Sequence, residues 1–472
     1  MVSFNNLPNE VMRTIAGGCE PADLLSLCIT SKACCDIFEP ELFRNIRWTY
    51  FHSRKKTSKP IHRLLIAICQ SPEIAAWIRH FAVYEEGFGP KPKAGSVFSS
   101  SELALLRSSL DFAGVVGVEG WMAELRGGSL ETIVAMILLQ LREVQSVTLD
   151  LFLRHDDDQA YLRDQGSRIS QVFAHSVSAP EHLPANRFMH LKHISWPSES
   201  YLGPHCFLRR SEMPNVIPAA FLPSIESATL KIDQPGVLPE GKSGLIPQTS
   251  GLSQLQILGL RHSSIDDGTL ALILSVTPML RVLDVEFNRD MTCLDDTEAP
   301  GFHGPTLLNS LRSCQASLET LRIISYIDDP VLDIPWSFFF AHPLSSLQDF
   351  EGLTHLEVSL TQLLGCEQIT TERLINTIPQ SLTKLGIRED GYGIASVNIM
   401  EKAIHDFPAK AEPVMPDLKL VSVFLDLEVW GDERIKKMRD IYRPTRFRLV
   451  VKHVERLAPL EITGDGSTEE TF

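Results

Sequence analysis

The sequence predicts an α/β fold in which short parallel strands recur along the chain with helices between them, behind a separate N-terminal helical unit. Three observations carry this expectation. An apolar spacing L-x-x-L-x-L recurs from Val144 onward, helix-like apolar segments stand between its copies, and residues 7–46 hold three short helical patterns punctuated by Gly, Pro and Ser. In a strand the side chains alternate, so the last two apolar residues of each copy share one face. A helix after each strand returns the chain for the next parallel strand and covers that apolar face. The strands are therefore expected on an inner, concave side of a solenoid and the helices on its outer, convex side.

The N-terminal unit comes first. Leu7-Pro8-Asn9-Glu10 opens a helix, with Pro8 tolerated in its first turn and Glu10 favoured by the positive helix end. Leu7, Val11 and Ile15 fall four residues apart as one apolar stripe, and Gly17-Gly18 stop the helix. Pro21 starts a second helix bearing Leu24, Leu25, Leu27 and Cys28. Ser31 caps a third, which runs through Ile37 and Phe38 to Pro40, and residues 41–46 close the unit. Forty residues are too few for a comfortable core of their own. Leu7, Val11, Leu24, Leu27, Leu42 and Phe43 cannot all be hidden, and each one left wet forgoes ~1.5–3 kcal/mol. Such a unit is expected to dock on something, a partner or the domain that follows.

The repeated element reads Val144-Val147-Leu149, Leu191-Ile194-Trp196, Ile225-Ala228-Leu230, Leu255-Leu258-Leu260 and Leu280-Leu283-Val285. It continues as Leu318-Leu321-Ile323, Leu353-Leu356-Val358, Leu382-Leu385-Ile387 and Leu418-Val421-Val423, with a weaker copy at Ile78-Phe81-Val83. Matches of this kind also arise by chance, so the flanks decide. Pro or Ser precedes several copies, at Pro223-Ser224, Pro278, Ser317, Ser381 and Pro416, and segments such as 269–274, 307–311 and 374–378 read as helices. The expected organisation is a helical unit over 1–50, a helical linker and N-terminal cap over 51–140, a repeat domain over 141–455 and an acidic, disordered tail over 456–472. Residues 84–101 and 234–251, rich in Gly and Pro, are expected to be loops.

Composition narrows the function. The chain has 472 residues, 44% hydrophobic and 22% charged, with a net charge of -15. That is a globular balance, and its sign disfavours nucleic acid or an anionic membrane as a partner. Nine cysteines with no CxxC pair read as reduced thiols of the cytoplasm or nucleus. No basic and apolar leader opens the sequence, and the longest dense apolar run, residues 133–139, falls well short of a membrane span.

Three motifs could carry chemistry. Residues 236–243, GVLPEGKS, match the phosphate-loop pattern and would make Lys242 the residue of a nucleotide hydrolase. Gly244 and Pro247 deny it the helix that presents amides to phosphate, so the match is read as accidental. His190 and His193 flank the start of a strand and diverge, and Asp156-Asp157-Asp158 lacks spaced oxygen ligands. No catalytic residue, cofactor or metal is expected.

The order LPNEV, ADLLSLC, SK and PELFRNI resembles an F-box, and the repeats resemble a degenerate leucine-rich-repeat solenoid of the kind that follows F-boxes in many fungal proteins. The helical resemblance covers about a tenth of the chain. It departs from the family where Ala33-Cys34-Cys35 replaces a usual Trp and Leu42-Phe43 a usual Leu-Trp. The resemblance implies a substrate receptor of a cullin-based ubiquitin ligase. Its adaptor-binding residues would be Leu7, Pro8, Glu10, Val11, Ile15, Leu24, Leu25, Leu27, Leu42 and Phe43, docking on a Skp-type adaptor. A scaffold outside any ligase is the alternative. On the concave side strand alternation places His193, Lys231, Arg261, Asp284, Glu286, Arg322, Glu357 and Arg388, expected to meet a protein target. Asp284 and Glu286 are expected to be solvent-exposed within reach of Arg322, so that reversing their charge spares the fold.

Overall fold

A computed structural model describes residues 7–51, 61–86, 97–150, 167–178, 188–196, 217–232, 254–263, 265, 267–289, 303–327, 342–365, 369–389, 393–425 and 427–453. They form two compact α/β units. The first holds the described residues up to Lys231 together with 254–255; the second holds Ile232 and those from Gln256 onward.

The first unit opens with α1 (Asn9–Ala16), α2 (Pro21–Cys28) and α3 (Lys32–Arg44). Ala16 is the last residue of α1, before Gly17, and the Ser31 side chain caps α3 by accepting from the Cys34 amide at 3.1 Å. One expectation fails here. α3 continues through Pro40 to Arg44, because proline removes a single backbone donor while Ile37 and Phe38 before it are in the bundle core and Leu42 after it packs against that core.

Strands β1 (Asn45–Phe51), β2 (His80–Glu86), β3 (Ser146–Asp150), β4 (His193–Trp196) and β5 (Ser227–Leu230) follow, each parallel to the one before it. The second unit contains β6 (Ile257–Ser263), β7 (Val282–Arg289), β8 (Thr320–Ile327), β9 (His355–Ser359), β10 (Lys384–Arg388), β11 (Leu420–Leu425) and β12 (Arg448–His453), again parallel and in chain order. The register joins like to like. Val147 pairs with Ile194 and Ile194 with Ala228; Leu258 pairs with Leu283, Leu283 with Leu321, Leu321 with Leu356, Leu356 with Leu385 and Leu385 with Val421. All three apolar positions of all nine expected copies are buried, as are Ile78, Phe81 and Val83.

Two strands were not read from the sequence. β1 repeats the spacing as Phe43-x-x-Ile46-x-Trp48, with Ile46 opposite Phe81 and Trp48 opposite Val83, and it spans the boundary expected at residue 50. β12 lacks the leading apolar residue: Leu449 pairs with Val421, which puts Arg446 where a leucine would stand.

Helices form the second layer of each unit. Helix Leu130–Gln140 is buried along the whole run from Ile133 to Leu139, so the densest apolar stretch of the chain is a core helix. It packs against helices Ile61–Gln70 and Arg168–Ser178, across the boundary expected at 140. In the second unit, helix Asp267–Ser275 packs against Gly304–Leu311, and Gly393–Ala411 packs against both Thr371–Ile375 and Leu427–Tyr442.

The Ser residues noticed ahead of the strands stitch neighbouring repeats. Ser224 Oγ donates to the carbonyl of Leu191 at 2.8 Å, Ser317 Oγ to that of Leu280 at 2.9 Å and Ser381 Oγ to that of Leu353 at 2.8 Å. Beside them runs a ladder in which one turn carbonyl accepts two successive amides from the next repeat. Arg281 O takes Glu319 N and Thr320 N, Glu319 O takes Thr354 N and His355 N, and Thr354 O takes Thr383 N and Lys384 N. Ser317→Ala is expected to lower the unfolding free energy by about 1 kcal/mol, since it strips a donor from half-buried carbonyls. Urea denaturation of the full chain measures this, and an unchanged midpoint would mean that water replaces the hydroxyl at no cost.

Candidate functional site

Two surfaces gather the residues that the sequence singled out. The first lies on the three-helix bundle. Its core is Met12, Ala16, Leu24, Cys34, Ile37 and Phe38, with Leu7, Leu27, Cys28 and Leu42 half-buried against it. α1 therefore turns Met12 and Ala16 inward, one residue on from the expected stripe, and leaves Val11 and Ile15 outside at 43% and 39% exposure. Leu25 of α2 and Ile29, the residue that follows that helix, are likewise outside, exposed at 55% and 81%.

The sequence reading is adjusted at three positions. Leu24, expected on the outer surface, is in the bundle core, since it faces α3. Phe43 leads the β1 unit and its ring lies 6.3 Å from that of Trp77, so it belongs to the sheet side of the bundle. Ile29 was missed, although its spacing of four from Leu25 signals a shared face. Pro8 and Glu10 are exposed at the start of α1.

The second surface is the strand face of the second unit opposite the leucines. Here six of the eight expected residues form one ion-pair chain. Arg322 is its hub, reaching Asp284 at 3.0 Å, Glu286 at 3.0 Å and Glu357 at 3.1 Å. Arg261 pairs with Asp284 at 2.9 Å and also with Glu286, and Arg388 pairs with Glu357 at 2.8 Å. Strand register brings them together, because Asp284, Arg322 and Glu357 stand side by side on β7, β8 and β9. Gly386 on β10 completes the row. A Cβ there would lie 2.9 Å from Glu357 Cγ, so glycine leaves room for Glu357 to lie across β10 to Arg388. His193 and Lys231 belong to the first unit, on β4 and just after β5.

The expectation of solvent exposure fails for this network. The side chain of Glu286 is 6% exposed and that of Arg388 7%, because the row of long side chains covers itself. Burial lifts the Asp284 carboxyl above its ordinary value, more than Arg322 and Arg261 pull it down. Burial also works against the Arg322 charge, but attraction from Asp284, Glu357 and Glu286 outweighs it and holds the guanidinium above its ordinary value. Among the described residues, three guanidiniums balance three carboxylates in this network.

Next to it the balance changes. Phe424 on β11 stands beside Arg388 of β10 and Lys452 of β12, with the Arg388 guanidinium carbon 4.7 Å and Lys452 Nζ 4.9 Å from the ring centre. Lys384 and Arg448 are exposed at the start of the same outer strands, in register across Leu420.

The phosphate-loop match at 236–243, Asp156-Asp157-Asp158 and the tail from residue 456 lie outside the described residues. His190 Nε2 is 3.8 Å from Glu143 Oε2. Among the described residues, no three of His, Cys, Asp and Glu are grouped to hold a metal ion, and no helix is long and apolar enough to cross a membrane. Neither a scan against protein-family models nor a search of curated proteins gives a significant match to this chain.

Proposed function

We propose that this chain is the target-capture subunit of a cullin-based ubiquitin ligase. In this reading the three-helix bundle is an F-box that docks on a Skp-type adaptor, and the strand units are degenerate leucine-rich repeats that hold a protein target. Transfer chemistry then belongs to other subunits, and the complex works in the cytoplasm or nucleus. The observation that carries the reading is two pairs of outward apolar residues, Val11 with Ile15 on α1, and Leu25 of α2 with Ile29 just after its last residue. The bundle beneath them already has a core, so these side chains are surplus to folding and available for a partner. The parallel, in-register strands of the second unit support the reading of a recognition surface.

The test is recovery of a purified Skp-type adaptor by the full chain. Leu25→Asp with Ile29→Asp should cut recovery at least tenfold, roughly the loss of 1.4 kcal/mol or more of binding energy, with an unchanged melting temperature. Unchanged recovery would overturn the docking assignment. Adaptor recovery without a cullin in the complex would instead favour the scaffold reading.

A further inference from the structure

In a chain of net charge -15, the outer face of β10–β12 carries three exposed cations, Lys384, Arg448 and Lys452, none with an ion-pair partner among the described residues. The carboxylates of the adjoining β7–β9 face, Asp284, Glu286 and Glu357, are already matched by Arg261, Arg322 and Arg388. They leave nothing over to neutralise their neighbours. Between the free cations lie Ser422 and the ring of Phe424. Two strands apart, Lys384 and Arg448 are separated by ~9.6 Å along the sheet, and Lys452 lies ~13 Å further along β12. An extended peptide repeats its side chains on one face every ~6.6–6.8 Å, so carboxylates four residues apart match the ~13 Å between Arg448 and Lys452 along β12, with Lys384 to one side of that line.

We propose that the face of β10–β12 docks an acidic segment of the captured protein, an extended stretch bearing several Asp or Glu side chains. This rests on the target-capture reading, but it fails separately, since adaptor recovery involves the other end of the chain. A long nucleic acid fits less well, because its phosphates would meet the negative field of the whole molecule as well as this patch.

The probe is fluorescein-labelled hexaglutamate, titrated against the full chain and followed by anisotropy. Binding should weaken at least tenfold in Lys384→Gln, Arg448→Gln, Lys452→Gln, a variant whose exposed positions leave the melting temperature unchanged. It should be retained in Lys384→Arg, Lys452→Arg, and should weaken severalfold between about 50 and 300 mM salt. The assignment is overturned if the full chain does not bind the probe, if the glutamine variant binds it as wild type does, or if a DNA strand of equal charge binds more tightly. Glu461→Gln, Asp465→Asn, Glu469→Gln, Glu470→Gln should leave the affinity unchanged. A gain above tenfold there would assign the face to the chain's own acidic segment and overturn the partner reading.

Discussion

Arg322→Ala is expected to lower the unfolding free energy of the full chain by about 2–3 kcal/mol, below the ~3–5 typical of a fully buried pair because the side chain keeps some solvent. The reason is arithmetic of charge. Arg322 serves Asp284, Glu286 and Glu357 at once, and its loss leaves three carboxylates to Arg261 and Arg388. The double variant Arg322→Ala, Asp284→Asn should recover part of the loss, since the remaining charges form two complete pairs, Glu286 with Arg261 and Glu357 with Arg388. Asp284 is the carboxylate to neutralise, because burial already raises its proton affinity. Arg322→Lys should fall between, keeping the charge without the planar fork. Chemical denaturation of the four proteins decides it, and a single-variant loss below about 0.5 kcal/mol would mean that water screens the network. Asp284→Lys with Glu286→Lys, which strand alternation alone marks as harmless, should now destabilise strongly by setting five cations against Glu357.

A larger effect is expected at Leu283. Its side chain has no solvent exposure, and it is opposite Leu258 on one side and Leu321 on the other. Leu283→Ala should cost about 3–4 kcal/mol through lost burial and the cavity left behind. Leu283→Asp adds an unpaired carboxylate to that core and should unfold the surrounding repeats even in dilute buffer. Because a repeat is stabilised by its immediate neighbours, the damage should spread through β6–β8 before it reaches β12. Hydrogen exchange read by mass spectrometry follows this directly. Slow exchange of β7 amides in the aspartate variant would place Leu283 outside the core and contradict the register.

Apolar spacing by itself determined where ten of the twelve strands lie, one of them from a weaker copy, and which of their residues face inward. That signal is legible because every repeat must bury the same two strand positions. It failed where the pattern was broken or masked. Arg446 hid β12, and β1 was masked because its leading apolar residue, Phe43, is still on the bundle helix α3. The bundle helices were equally legible, yet the choice between the stripe of Val11 and Ile15 and that of Met12 and Ala16 was not, since both are apolar and only packing against α3 distinguishes them. Alternation also put Asp284, Glu286, Arg322 and Glu357 on one face, but it says nothing of how long side chains on adjacent strands cover one another. Tertiary register decided that. It turned an expected recognition stripe into a self-neutralised network, and left unbalanced charge at Lys384, Arg448 and Lys452, where parallel stacking sets Lys384 of β10 on the same face as the two cations of β12.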